Sequence, residues 1–165
     1  MPYLPSPRLT NLGIFLLTVV AMLFALWLQH YQHLEPCPLC VFQRVAMIAT
    51  GAVALVAFLH GPAGRLGRRL YAGLTLLAVA GGVAVAGRHV WLQHLPPEQV
   101  PACGPGLDYW MDTFPLFEVM AKVFRGSGEC AVIDWTFLGF SLPALTLAVF
   151  LGLGALALWQ LLRRD

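Results

Sequence analysis

The chain has 165 residues, of which 59% are hydrophobic and only 11% are charged, and its mean hydropathy is +0.74. Soluble domains carry about 25% charged residues, so this composition excludes a soluble globular protein with a polar surface. The net charge of +2 gives no indication of nucleic-acid binding, and we expect no nucleic-acid partner. We therefore expect the chain to lie in a lipid bilayer, where helices satisfy their own backbone hydrogen bonds.

Four apolar segments each approach the ~20 residues that a helix needs to cross a bilayer. They cover residues 12–28, 41–59, 70–90 and 137–159. The first is longer than the apolar core of a signal peptide and is followed by no small-residue cleavage site, so we expect it to be retained. Short links between the first three segments favour antiparallel neighbours. We predict an all-α membrane protein, with residues 1–165 forming one domain built as a four-helix antiparallel bundle.

The charged residues predict the orientation of this bundle. The two tails and the link at 60–70 hold six of the ten basic residues and one acid, Asp165, whereas the loops at 29–40 and 91–136 hold the other seven acids. Basic residues stay on the cytoplasmic side of a membrane. We therefore predict cytoplasmic termini, and two periplasmic loops if the membrane is a bacterial inner membrane. The six basic residues are Arg8, Arg65, Arg68, Arg69, Arg163 and Arg164.

All four cysteines fall in the two outer loops, on the side where disulfides form and persist. Cys37 and Cys40 form a C-x-x-C pair in "CPLC", a unit that can cycle between dithiol and disulfide. A zinc site usually needs a second such pair, which Cys103 and Cys130 do not form because 26 residues separate them. We predict no metal site. A purely structural disulfide is the other alternative, but so small a ring favours a labile, redox-active bond.

The C-x-x-C pair lies where the second apolar segment begins. If the helix starts near Pro38, Cys40 lies in its first turn, where the helix dipole stabilises a thiolate. Arg44 lies on the same face, one turn deeper. An arginine at that depth is a functional candidate, although its side chain could instead extend to the lipid headgroups.

A dithiol that is oxidised repeatedly needs an electron acceptor, and a membrane supplies lipid-soluble quinones. We predict that Arg44 lies beside the head group of such a quinone. His89, at the end of the third segment and at a comparable depth, is a second candidate for this site. A haem or copper site is the alternative, but most of the histidines on this side lie at segment ends and are expected to be interfacial. These are His30, His33 and His94.

Small residues in the third segment, including Gly81 and Gly82, predict close approach of a neighbouring helix, with a plain lipid-facing helix as the alternative. In the long outer loop, residues 114–124 have helical spacing of apolar residues but are too few to cross a bilayer. We predict an amphipathic helix that lies flat at the membrane interface, with Tyr109 and Trp110 also at the interface. The alternative is a helix packed on protein. Its apolar stripe comprises Leu116, Phe117, Met120, Val123 and Phe124.

Cys103 lies between proline and glycine in "VPACGPG", which predicts an exposed turn. A disulfide from Cys103 to Cys130 could exchange with a protein partner, or it could simply close a long loop with about 3–4 kcal/mol of stabilisation. The nearby C-x-x-C pair favours a relay between the two pairs.

Together these segments resemble the DsbB family, the quinone-dependent thiol oxidases of bacterial inner membranes. The resemblance rests on "CPLCVFQR" at the second segment, on "HVWLQ" followed by a proline-containing stretch to Cys103, and on "CAVIDWTFLGFSLP" from Cys130 to Pro143. It covers most of the chain. It implies that the protein reoxidises a DsbA-like periplasmic thiol oxidase and passes the electrons to a membrane quinone, with ubiquinone favoured over menaquinone.

The resemblance also implies an order of sulfur exchange. The partner would attack the Cys103–Cys130 disulfide at Cys103, after which Cys130 would exchange with Cys37. Cys40 would then be released as a thiolate that faces the quinone.

Two further residues match the family at the quinone, and two depart from some of its members. Arg44 and His89 match residues at or near the quinone, whereas Gln43 replaces an acidic residue and Pro38 replaces a non-proline residue of the C-x-x-C unit. The alternatives are a thiol–quinone protein resembling vitamin K epoxide reductase, whose C-x-x-C unit is expected late in the chain, and a four-span adaptor with structural disulfides.

Overall fold

Residues 6–163 are described by a computed structural model. Four long helices dominate this part of the chain, and each is long and apolar enough to cross a membrane. The predicted all-α architecture with four spans is therefore confirmed. Arg164 and Asp165, which contributed to the charge pattern, lie outside the described residues. The four helices are α1 (Pro7–Tyr31), α2 (Pro38–His60), α3 (Arg65–Gln93) and α7 (Leu142–Leu162).

Capping residues mark the start of α1 and the end of α2. The Ser6 hydroxyl caps α1 by accepting a hydrogen bond from the backbone N–H of Leu9 at 3.3 Å. Gly61 ends α2 in the left-handed conformation with φ 55°, which glycine adopts without strain. α3 then begins at Arg65, within the predicted link, so the helices extend beyond the apolar segments into polar flanking sequence.

The bundle core lies between neighbouring helices in the order α1, α2, α3 and α7. Gly82 allows close approach because a Cβ atom there would overlap the Phe150 ring of α7, whereas Gly81 faces open space. α1 and α7 contact each other sparsely, and Gln160 donates a 3.0 Å hydrogen bond to Asn11 at the end far from the cysteines. The two helices therefore leave a cleft toward the cysteine end. The buried members of the bundle core are Ile14, Met47, Ala54, Val79, Ala86, Phe150 and Leu153.

The long loop folds over the ends of α2 and α3 through a 3-10 turn (Pro97–Gln99) and three short α-helices: α4 (Leu107–Thr113), α5 (Leu116–Arg125) and α6 (Gly128–Ala131). A second apolar cluster, which we call the outer cluster, joins this loop to the bundle. It holds one of the four cysteines. Its buried members are Leu39, Val85, Leu92, Trp110, Val119, Val123 and Cys130.

α5 confirms the predicted loop helix and has two apolar faces. Val119 and Val123 are buried in the outer cluster, so this face packs on protein, and the prediction that Val123 belongs to the interfacial stripe is wrong. Phe117 is 82% exposed on the other face, which is the one expected at the membrane interface. Arg88 of α3 fixes the end of the helix by donating hydrogen bonds to the backbone carbonyls of Phe124 and Arg125, each at 2.9 Å.

The expectation that Trp110 lies at the membrane interface is wrong, because its ring is buried in the outer cluster and only 9% exposed. The ring packs so closely over Gly104 that a Cβ atom at that position would lie 2.7 Å from it. Tyr109, its neighbour, is exposed.

A two-stranded hairpin precedes the fourth helix, where we had predicted that the span begins at residue 137. β1 (Thr136–Phe137) pairs antiparallel with β2 (Phe140–Ser141). The two residues between the strands, Leu138 and Gly139, both have positive φ, which is the geometry of a tight hairpin turn. α7 therefore begins only at Leu142, with a proline in its first turn.

Candidate functional site

The C-x-x-C pair lies at the N-terminus of α2, as the helix start at Pro38 predicted. Cys37 is the N-cap residue, and its sulfur accepts a hydrogen bond from the backbone N–H of Cys40 at 3.3 Å. The two sulfurs are 3.0 Å apart. Pro38 suits the first helical turn because that position has no intrahelical partner for a backbone N–H. Both thiols are partly buried beside the free N–H groups of the helix end.

Cys130 lies against this pair, although it follows Cys40 by 90 residues in the chain and the rest of α2 and all of α3 lie between them. α6 holds its side chain fully buried, next to Cys37. A hydrogen bond from the Cys37 thiol lowers the pKa of Cys130 to about 6, although burial opposes this shift. The same interaction with Cys130, together with Cys40 and burial, raises the pKa of Cys37. Cys130 is thus the thiolate of this contact and Cys37 the donor.

Cys103 is exposed, and it approaches α6 at Gly128. A Cβ atom on Gly128 would lie 2.9 Å from the Cys103 sulfur and 3.0 Å from the carbonyl oxygen of Pro101. The backbone N–H of Gly128 also donates to the carbonyl of Ala102 at 3.4 Å. The chain therefore crosses itself two residues before Cys130. The structure shows each of the four cysteines as a free thiol.

His89 of α3 faces the sulfurs from the bundle side. Its Nε2 atom lies 3.8 Å from the Cys37 sulfur, and its Nδ1 atom lies 2.9 Å from the amide nitrogen of Gln43. Both polar side chains are buried, at 2% and 5% exposure respectively, so each depends on the other for a hydrogen bond. Gln43 drew attention in the sequence only as a departure from relatives. Its position one helical turn after Cys40 was the signal that it shares this face.

Arg44 extends toward α1 within the protein. Its guanidinium group donates hydrogen bonds to the side-chain oxygen of Gln29 and, at 3.3 Å, to the backbone carbonyl of Ala25. Gln29 was not among the residues predicted for the site. It directly follows the first apolar segment, where a polar residue is ordinary, so the sequence carried no clear signal for it.

Cys40, Arg44 and His89 all line the cleft between α1 and α7, which has a volume of about 340 Å³. The polar groups lie at one end of the cleft and apolar side chains of the two helices form its walls. At the rim, the Phe24 ring meets the Trp135 ring edge to face, with 5.7 Å between the ring centroids. The cleft can accommodate a flat polar head group beside Cys40 with an apolar tail along the helices.

Known proteins are similar in sequence to this chain along nearly its whole length. A family described as "Disulfide bond formation protein DsbB" matches residues 7–160. The chain belongs to the DsbB family. Among proteins named disulfide bond formation protein B, that of Acinetobacter baumannii is 57% identical over 158 residues, covering 96% of this chain and 92% of its own. That of Stutzerimonas stutzeri is 46% identical over 162 residues, covering 98% and 99% respectively.

DsbB family membership confirms the resemblance described above. It identifies the chain as a multi-pass protein of the bacterial inner membrane with a role in disulfide bond formation, and hence as a disulfide-forming oxidoreductase. In this chain, the fold brings Cys37, Cys40, Cys130 and His89 together at the N-terminus of α2. Arg44 lies one turn deeper in the cleft.

Proposed function

We propose that this protein reoxidises a DsbA-like periplasmic thiol oxidase and transfers the electrons to a membrane quinone. The observation that carries the proposal is the contact of Cys130 with Cys37, because it joins the pair that contains the exposed Cys103 to the pair that lines an apolar cleft. Neither pair alone would connect a protein partner in water with an acceptor in lipid.

The relay begins when a thiolate of the reduced partner attacks Cys103 in a Cys103–Cys130 disulfide. A partner–Cys103 disulfide forms and Cys130 leaves as a thiolate, which attacks Cys37 in the Cys37–Cys40 disulfide. Cys40 leaves in turn as a thiolate. The second thiolate of the partner then displaces Cys103, so the partner is released oxidised and two electrons remain on this chain.

Three features of the site support this order of exchange. The exposure of Cys103 makes it the sulfur that a folded partner can reach. Cys130 leaves the Cys103–Cys130 disulfide as a thiolate, the form in which a sulfur attacks a disulfide, and it already lies beside Cys37. Cys40 leaves at the N-terminus of α2, where the helix dipole stabilises a thiolate.

The exchange is completed within the chain. Cys103 attacks the Cys37–Cys130 disulfide, which restores Cys103–Cys130 and leaves Cys37 and Cys40 as a dithiol. A quinone in the cleft supplies the acceptor for the two electrons and two protons of that dithiol, and a Cys37–Cys40 disulfide is restored. Arg44 would bind a quinone oxygen with the guanidinium that Gln29 and Ala25 orient, and His89, whose Nε2 atom lies 3.8 Å from the Cys37 sulfur, lines the same cleft.

We further infer that the cysteine end of the bundle faces the periplasm. Basic residues collect at the opposite end, where Arg65, Arg68, Arg69 and Arg163 surround a small depression. Basic residues are retained on the cytoplasmic side, which supports cytoplasmic termini and periplasmic cysteine loops.

The test combines the purified chain in nanodiscs with a reduced DsbA-like protein and a ubiquinone analogue, and it follows the loss of quinone absorbance. We expect quinone reduction that requires the partner. Cys40→Ser should permit oxidation of at most one partner molecule per chain and no continued turnover. An adaptor with structural disulfides predicts no quinone reduction by the unaltered chain, and that result would refute the proposal.

Arg44→Gln tests the quinone site separately. Because the guanidinium is proposed to bind the quinone, the variant should raise the apparent KM for quinone by about 10–100-fold, the range expected for loss of a charged hydrogen bond of 1.5–3 kcal/mol. Oxidation of the partner by the preformed disulfides should continue at the unaltered rate. An unchanged KM would remove Arg44 from the site.

A further inference from the structure

A compact set of metal-ligand atoms lies at the meeting point of α2, α3 and α6. One ligand atom each from Cys37, His89 and Cys130 lies within 4.8 Å of the other two. Around a tetrahedral zinc ion with Zn–S distances of about 2.3 Å, neighbouring sulfurs are separated by about 3.8 Å. The 3.8 Å between the Cys37 sulfur and His89 Nε2 is already close to such an arrangement.

The sequence spacing did not predict this set, because Cys103 and Cys130 do not form a second close pair. The fold instead adds one histidine and one distant cysteine to the C-x-x-C unit. Cys40, whose sulfur is 3.0 Å from that of Cys37, can occupy the fourth position. Two or three thiolates with one imidazole form a ligand set that zinc binds in proteins.

A neighbouring side chain already orients the histidine. Gln43 lies 2.9 Å from His89 Nδ1, and an amide can offer either its oxygen or its nitrogen at nearly the same position. With the oxygen accepting from Nδ1–H, the lone pair of Nε2 faces the sulfurs and is free to bind a metal. Such a hydrogen bond to the second ring nitrogen is the usual support of a metal-ligating histidine.

We propose that the fully reduced protein binds one zinc ion through Cys37, His89 and Cys130. No electron transfer is involved, because each thiol that is still protonated releases its proton when its sulfur binds the ion. Oxidation of these cysteines to disulfides removes the ligands, so the oxidised protein should not bind zinc at this point.

The bound ion would act as a redox-dependent inhibitor, a consequence that rests on the proposed function. Its sulfur ligands are the same atoms that must exchange between Cys130 and Cys37, and a sulfur coordinated to zinc is a weaker nucleophile than a free thiolate. Zinc in excess should therefore stop turnover in the reduced state, and a chelator should restore it.

The direct test needs neither quinone nor partner. The full chain in nanodiscs is reduced with a phosphine, desalted under argon and titrated with Co²⁺, which reports tetrahedral thiolate coordination by its visible spectrum, and then with Zn²⁺ in competition. We expect one equivalent of cobalt to give intense tetrahedral bands that zinc removes. Reduced protein without these bands, or oxidised protein with them, would overturn the proposal.

Variants test which residues hold the ion. Gln43→Leu should lower the affinity for cobalt by about 10–100-fold. His89→Ala and Cys130→Ser should each lower it further. Cys103→Ser is the matched control, because Cys103 is exposed and outside the set, and its affinity should be unchanged. Binding that is equally strong in His89→Ala and Cys130→Ser would assign the ion to the C-x-x-C pair alone and refute the site.

X-ray absorption at the zinc edge of the unaltered protein provides a readout that does not depend on folding of the variants. The proposal requires two or three sulfur ligands and one imidazole, and a shell without imidazole would contradict it. The two proposals fail differently. Absence of cobalt binding with normal quinone reduction refutes only the zinc site, whereas cobalt binding without quinone reduction refutes only the oxidase.

Discussion

The bundle core and the outer cluster are both apolar, but they differ in what they hold. The bundle core consists of side chains from four long helices and contains none of the four cysteines. The outer cluster joins residues from α2, α3 and the long loop, and it buries Cys130 with Cys37 packed against it. In the middle of the molecule, the buried side chains therefore serve packing alone. At the cysteine end, the same apolar cluster both packs the loop on the bundle and holds a cysteine.

The largest effect should come from Cys130, the member of the outer cluster to which the proposed relay assigns the exchange with Cys37. Cys130→Ala keeps a small apolar side chain but removes the sulfur that connects the two pairs. We expect no detectable partner-dependent quinone reduction, with the Cys37–Cys40 disulfide remaining oxidised when reduced partner is added. Alkylation of free thiols followed by gel electrophoresis measures this. Partner oxidation at the unaltered rate would mean that the partner reacts directly with Cys37.

In the bundle core, a single methyl group should reduce stability. Gly82→Ala places a Cβ atom against the Phe150 ring, and overpacking of this kind costs about 1–3 kcal/mol. Gly81→Ala is the matched control, because its Cβ meets nothing within 4 Å and alanine favours the helix by roughly 0.5–1 kcal/mol. The free energy of unfolding of each variant is measured in mixed micelles. Equal stabilities of the two variants would contradict the close approach of α3 and α7.

In the outer cluster, a cavity should make local opening of the loop easier while the four-helix bundle stays folded. Val123→Ala removes buried methyl groups beside Cys130 and should cost ~1–2 kcal/mol. If the loss is local, alkylation of Cys130 should accelerate by about 5–30-fold while the unfolding midpoint of the helices stays unchanged. Phe117→Ala, on the exposed face of the same helix, should leave the alkylation rate as it is.

The smallest predicted effect is a change in the pKa of Cys130. The Cys37 thiol donates to Cys130 and lowers its pKa to about 6, so Cys130 is mostly thiolate at pH 7 and becomes protonated as the pH falls below about 6. Cys37→Ala removes the donor, and the pKa should rise toward the ordinary thiol value of 9.0. The change is measured by following thiolate absorbance as a function of pH in the presence of a chelator. Cys130→Ala serves as the blank. Identical midpoints would show that another group sets this pKa.

Features that depend on local sequence were predictable. Lipid requires long apolar helices, so the four spans follow from hydropathy. A proline after Cys37 marks the start of α2, and the four-residue spacing from Cys40 to Arg44 places both on one helix face. The amphipathic spacing of α5 likewise predicted a helix.

Features that depend on contacts between distant residues were not predictable from one sequence. Gln43 and His89 are 46 residues apart, and Gln29 and Arg44 are 15 apart in different helices. The burial of Trp110 arises only when the loop folds over α2 and α3. The hairpin before α7 was missed because its residues are as apolar as the helix that follows, and the "LG" turn is a weak signal beside "NG" or "DG".

If the proposed acceptor is a quinone, the sparse contact between α1 and α7 bears on which quinones the protein can use. Since the cleft is open along its side, an isoprenoid tail need not be enclosed, and no wall limits how many isoprene units it carries. We expect short synthetic analogues and long natural quinones to compete for one position, and the head group alone to distinguish them. Membrane lipid composition, rather than the shape of the protein, would then decide the tail length of the acceptor used by the cell.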